Sequence, residues 1–258
     1  MSKEPGFTVR DIFPDVKHIR DPLGVHMTLL LGRERALLFD AGYGVQNLHQ
    51  FIRGMTGLPL TLVLSHGHHD HALGAMHFPP SLMMPQDLPV LNAYTGREQR
   101  EKIVQAAGLS GDAEKAFLAV KIPVPEELDT DLFELGGLSA RVMKTPGHTQ
   151  GSIALYVPER RLLLLGDNWN PQTWIFFPEA MDVRTYAQSF RSLMALPFQT
   201  ALAPHADEPI SRAFLLAFAD GLNETGFASA KPVKIHGHEQ IPTKAFEPSP
   251  GALLVFRA

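Results

Sequence analysis

The sequence predicts an α+β fold in which two β-sheets, mostly antiparallel, pack face to face with helices on the outside. Three observations carry that expectation. Short apolar runs of strand length open each half of the chain, and segments with helical spacing follow them. No low-complexity linker and no internal repeat of about 20 to 50 residues breaks the order, so a single domain covering residues 1–258 is expected. Hydrophobic residues make up 45% of the 258, which is enough to bury a core.

The elements follow in order. Residues 25–31 and 36–39 are apolar runs separated by a charged turn at 32–35, as in a hairpin. Residues 47–55 suit a helix that stops near Gly57, and residues 61–64 form a brief apolar strand that leads directly into a histidine cluster. Residues 86–122 show helical spacing and many charges, punctuated by Pro89, Gly96 and Gly108. Strand signals return at 138–143, 152–157 and 161–165. Residues 183–196 read as a helix, 200–203 as a strand and 208–224 as a second helix; 232–235 and 252–256 close the chain as strands.

Composition excludes several classes of function. The net charge is -4, from 23 basic and 27 acidic residues, with no run of five or six like charges, so a nucleic-acid partner is not expected. The chain has no cysteine, which removes disulfides, thiolate nucleophiles and zinc fingers, and any transition metal must sit on nitrogen and oxygen. No stretch reaches the roughly 18 apolar residues a membrane span needs. The first eight residues hold no apolar segment of signal-peptide length, so the expected location is the cytoplasm. Neither Gly-x-Ser-x-Gly nor Gly-x-x-x-x-Gly-Lys occurs. Histidine is the unusual component, with 12 copies, several of them clustered.

The cluster is Ser65-His66-Gly67-His68-His69-Asp70-His71. In extended backbone, residues two apart point the same way, so His66 and His68 can grip one ion from one loop. Asp70 and His71 fall where the loop turns and are available to a second ion. Imidazole and carboxylate suit zinc, iron, nickel or manganese. The cluster follows an apolar strand, the position where rigid scaffolds mount functional groups. His69 is out of phase with its neighbours and is expected to face solvent or to support the ligands from outside. His18, His49 and His77 lack ligand spacing and read as ordinary; His236 and His238 are expected in water.

His66-x-His68-x-Asp70-His71 resembles the signature of the metallo-β-lactamase superfamily, in its glyoxalase II-like and lactonase-like group. The likeness extends to Asp40-Ala-Gly42 after a strand, to Thr145-Pro-Gly-His148-Thr-Gln-Gly-Ser152, to Gly166-Asp167 and to His205, in the family's order. It implies an αββα sandwich with a metal site at one edge. It also implies that His66, His68 and His148 hold one divalent ion, that Asp70, His71 and His205 hold a second, and that Asp167 bridges the two. Zinc is the first expectation for both ions, with iron, manganese or nickel as alternatives. Asp40 would orient the histidine loop, and Asp70 would act as the catalytic residue on a metal-activated hydroxide. The sequence departs from the family where Pro204 and Ala206 flank His205 in place of the frequent glycines.

The implied reaction is hydrolysis of a carboxylic ester, thioester or lactone in a small-molecule substrate. The segment 168–178 follows Asp167, is punctuated by proline and reads as too irregular for a strand; it carries Trp169, Trp174, Phe176 and Phe177, which either form an apolar wall facing the metals or close the core beneath a long loop. Such a wall favours uncharged acyl groups over polyanions. The tail lacks a conspicuous basic cluster for a glutathione thioester. The alternatives within the superfamily are a mononuclear iron sulfur dioxygenase, a β-lactamase and a phosphodiester hydrolase.

Overall fold

The computed structural model describes residues 6–258, so the reading made on the first five residues lies outside it. The chain forms two compact units, one running to Ser139 and one comprising Ala140–Ala258. Each has its own sheets, helices and apolar core. Among the described residues no helix is long and apolar enough to cross a membrane.

The first unit is built on a seven-stranded sheet in chain order: β1 (Thr8–Phe13), β2 (Val16–Arg20), β3 (His26–Leu31), β4 (Ala36–Phe39), β5 (Leu60–Val63), β6 (Leu82–Met83) and β7 (Glu126–Glu127). β1 to β4 pair antiparallel, and β4 to β7 pair parallel. The switch follows from connection length: the charged turn 32–35 returns the chain at once, whereas β4 reaches β5 through a crossover containing α1 (Leu48–Arg53). Asn47 caps α1 by accepting the Gln50 N–H at 2.9 Å. β3 and β4 are buried almost throughout, which is why they read as continuous apolar runs. A one-turn helix, α2 (His69–Ala72), starts inside the histidine cluster. α3 (Leu88–Tyr94), α4 (Arg97–Ala107) and α5 (Gly111–Ala119) occupy the charged region, and β8 (Leu132–Glu134) ends the unit's elements. Gly108 ends α4 in the left-handed conformation that its missing Cβ permits.

In the second unit, β9 (Ser139–Lys144), β10 (Ile153–Val157) and β11 (Leu162–Leu164) come first, then β12 (Gln172–Ile175) and α6 (Val183–Met194). β13 (Thr200–Leu202), β14 (Ile210–Ser211), α7 (Arg212–Gly221), α8 (Glu224–Ser229), β15 (Lys231–Val233), β16 (Thr243–Ser249) and β17 (Ala252–Arg257) complete it. One sheet carries the order β14-β13-β11-β10-β9, the other β12-β17-β16-β15. The Asp182 carboxylate caps α6, accepting the Arg184 and Thr185 amides at 3.0 and 3.1 Å. Tyr186, Phe190 and Leu193 on that helix are fully buried with Leu163, Leu165, Phe218 and Leu254.

The fold is α+β, as the sequence predicts, and three local readings change. Residues 172–175 form a strand paired parallel with β17, where irregular chain was expected. The helix expected over 208–224 starts only at Arg212, because Thr200 and Ala201 pair with Ser211 and Ile210. β1, β2 and β16 gave no clear apolar alternation: β1 is a mostly exposed edge, and β16 holds Pro248 at an irregularity between Phe246 and Ser249.

Candidate metal centre

The first unit assembles its donors around Asp40. The strand β4 ends one residue earlier, and Asp40 takes a left-handed φ of 67°, unusual for a residue with a Cβ though tolerated by aspartate. Its backbone is held by an N–H to Val63 O bond of 2.9 Å. Its buried carboxylate accepts the Ser65 amide at 2.7 Å, the Ser65 hydroxyl at 2.9 Å and the His71 Nδ1–H at 2.9 Å.

These bonds decide the histidine tautomers. A carboxylate only accepts, so His71 carries its proton on Nδ1 and a lone pair on Nε2. Ser65 gives its proton to Asp40, so its oxygen accepts from His66 Nδ1 at 2.9 Å, and His66 Nε2 also holds a lone pair. That Nε2 lies 3.0 Å from His68 Nδ1. Asp70 stands in the first turn of α2, with Oδ2 3.4 Å from His71 Nε2. His66, His68, Asp70 and His71 are therefore collected at one end of β5. His69 turns aside: its half-buried ring lies beside Tyr43 and stacks on Tyr94, and burial lowers its pKa.

The second unit brings together His148, Asp167 and His205. The loop 145–152 closes on itself: the Thr145 amide reaches Ser152 O at 2.8 Å, and the Thr149 amide reaches Ser152 Oγ at 3.0 Å. The Thr149 and Ser152 hydroxyls also lie 2.7 Å apart, so both side chains take part in the closure. His148 donates from Nδ1 to Trp174 O at 2.8 Å, leaving the Nε2 lone pair exposed to Asp167 Oδ2 at 3.5 Å. The other oxygen, Oδ1, lies 3.5 Å from His205 Nε2. Asp167 thus has an imidazole on each side. An imidazole lone pair and a carboxylate oxygen are both acceptors, and at 3.5 Å they need a positive centre between them. A divalent cation fits this donor set, which contains only nitrogen and oxygen.

The sequence profile of the metallo-beta-lactamase superfamily matches residues 20–205. The chain belongs to that superfamily. Acyl-coenzyme A thioesterase MBLAC2 of Gallus gallus is 29% identical to this metallo-β-lactamase-superfamily chain over 184 residues, which is 65% of this chain and 66% of that protein. Hydroxyacylglutathione hydrolase of Cereibacter sphaeroides is 30% identical over 142 residues, 55% of this chain and 46% of that one. The matches therefore span two thirds or less of these relatives' length. A solved structure, TTHA1623 in a di-iron-bound form, shares the fold with a TM-score of 0.58 at 22% identity, covering 78% of this chain and 96% of its own.

The aromatic segment divides in two. Trp169 is buried in the core, edge-on to Phe214 and Phe218, and Phe176 has no exposed surface, so neither belongs to an open wall. Trp174 and Phe177 are half-buried; Phe177 meets the His148 ring edge at 6.3 Å. His238, expected in water, instead lies 6.0, 5.5 and 5.2 Å from Trp174, Phe176 and Phe177. His236 is fully exposed beside Glu239. His77 reaches Gly44 O at 3.0 Å, and His18 is buried against His26. Sequence reasoning missed Ser65, although its place beside His66 was a signal, and Asp87, which bonds to the Gly67 amide and carries no local signal.

Proposed function

We propose that this protein is a metal-dependent hydrolase that cleaves a carboxylic ester, thioester or lactone with two divalent ions, zinc first among the candidates. The observation that carries the reading is the carboxylate of Asp167 set between two imidazoles, His148 on one oxygen and His205 on the other. In the proposed arrangement His66, His68 and His148 would hold one ion, Asp70, His71 and His205 would hold the other, and Asp167 would reach both. When bound, such ions lower the pKa of a coordinated water and polarise the acyl oxygen.

The chain's own residues supply the rest. Asp40 and Ser65 hold His71 and His66 with their Nε2 lone pairs presented, so no proton has to leave these nitrogens on binding. Trp174 O does the same for His148. Asp70, partly exposed at the start of α2, orients the attacking water and takes its proton. Trp174 and Phe177 give the neighbourhood of His148 an apolar side, which favours an acyl group over a polyanion. The thioesterase relative points the same way.

Elemental analysis of the purified protein, followed by ester, lactone, thioester, β-lactam and phosphodiester substrates, tests the reading. About two ions per chain and acyl hydrolysis are expected. A single iron with oxygen consumption on a persulfide would replace it with the sulfur dioxygenase reading.

A further inference from the structure

We infer that Tyr186 is a positioning residue that locks His148 and Asp167 against each other; the inference rests on these two being metal ligands as proposed above. Tyr186 lies on α6 with no exposed surface. It touches three segments of the second unit at once. Its hydroxyl donates to the carbonyl of Asn168, the residue after Asp167, at 2.8 Å. The same hydroxyl meets the Thr173 side chain, and the next residue, Trp174, supplies the carbonyl that accepts from His148 Nδ1. On the other side, Gly147 packs so closely that a Cβ there would lie 2.9 Å from the Tyr186 ring and 3.1 Å from its Cα.

The helix carrying Tyr186 is tied to the same loop. The Met181 amide, just ahead of α6, donates to Gly147 O at 2.8 Å, and Ser189 Oγ donates to Pro146 O at 2.7 Å. The His148 loop is thus fixed to α6 at its backbone, and the Asp167 turn is fixed to α6 through one phenol. Burial raises the Tyr186 pKa, so the hydroxyl keeps its proton and remains a donor at any working pH. The Asn168 carbonyl lies in the same turn as Asp167, one residue after it. Without the phenolic O–H, the turn can relax and the Asp167 oxygens move relative to His148 Nε2. Gly147 and Tyr186 are complementary, the glycine leaving the space the ring fills.

Tyr186→Phe removes only the hydroxyl, so the ring still packs against Gly147. The expected result is full metal stoichiometry at saturating cobalt(II), a shifted visible absorption band, release of zinc to a chelator about three to ten times faster, and kcat lower by a similar factor with KM little changed. Phe190→Leu, one turn further along the same helix, serves as the control: its ring lies 6.0 Å from that of Tyr186 but makes no hydrogen bond, so the variant loosens the core with the phenolic O–H left in place, and should lower Tm without changing the cobalt band or the zinc release rate. Wild-type release and spectrum in Tyr186→Phe, or equal changes in Phe190→Leu, would overturn the positioning role. If the wild-type protein bound neither cobalt nor zinc, the metal reading itself would fall, and this inference with it.

Discussion

The Asp87 carboxylate, with no exposed surface, accepts a hydrogen bond from the Gly67 amide at 2.9 Å. Gly67 is the residue between His66 and His68, so this bond fixes the backbone from which both imidazoles project. There is also no room for a side chain there: a Cβ on Gly67 would lie 2.5 Å from the Leu91 amide nitrogen and 2.8 Å from Asp87 O. Asp87→Ala leaves a buried N–H without its acceptor, a cost of about 1–3 kcal/mol. A fall in Tm of roughly 2–12 °C is expected, together with weaker zinc binding. Asp87→Asn, which keeps an oxygen for the amide, should recover most of both. Melting curves and zinc titrations of the two variants check this; equal losses in both would mean that the charge, not the acceptor, is needed.

The ligands should differ in rank. His66 and His68 are buried and joined at 3.0 Å, whereas the His205 side chain is 35% exposed. His66→Ala and His68→Ala should abolish activity and lose an ion. His205→Ala should keep one ion and mainly weaken the other, with some loss of thermal stability in each case. Metal content by elemental analysis decides, and unchanged content and rate in His205→Ala would return that residue to the surface.

The aromatic residues should separate into structural and selective sets. Trp169→Ala empties a core position and should cost about 3–5 kcal/mol of stability, with any loss of kcat/KM the same for every substrate. Trp174→Ala should lower kcat/KM for long acyl chains by about ten- to a hundredfold and leave short ones nearly unchanged. A chain-length series of thioesters on both variants, with metal content matched, tests the division. A uniform loss in Trp174→Ala would make that residue structural as well.

Acid should destabilise the first unit through His18. This side chain is 4% exposed, stacks on His26 at 4.5 Å and bonds to Thr28 Oγ1 at 3.0 Å. Burial, then the charges of His26 and Arg10, lower its pKa from 6.5 to about 3. The unfolded chain therefore binds the proton more readily, and the stability that His18 contributes is complete above pH 6.5 and is lost as pH falls toward 3. In metal-free protein, His18→Gln should make Tm less steep between pH 7 and 4. Parallel Tm-versus-pH curves for the variant and the wild type would exclude His18 as the source.

The donors at residues 66 to 71 were legible because they are contiguous and follow an apolar strand. Alternation in extended backbone is a local property, as is the burial pattern of β3 and β4. The Thr145–Ser152 loop was legible for the same reason, since its hydrogen bonds close within the segment. Other features depend on partners far away in the chain. Whether residues 172–175 form a strand depends on β17, some 80 residues later, so Trp169 and Trp174 look alike in sequence yet one enters the core and the other flanks His148. Asp87 and Tyr186 carry no motif, because an acceptor or a phenol acquires its role from the amide or carbonyl that folding brings to it. Periodicity describes which way a residue points along its own element; only the closing of long loops and the packing of a whole core choose what stands opposite.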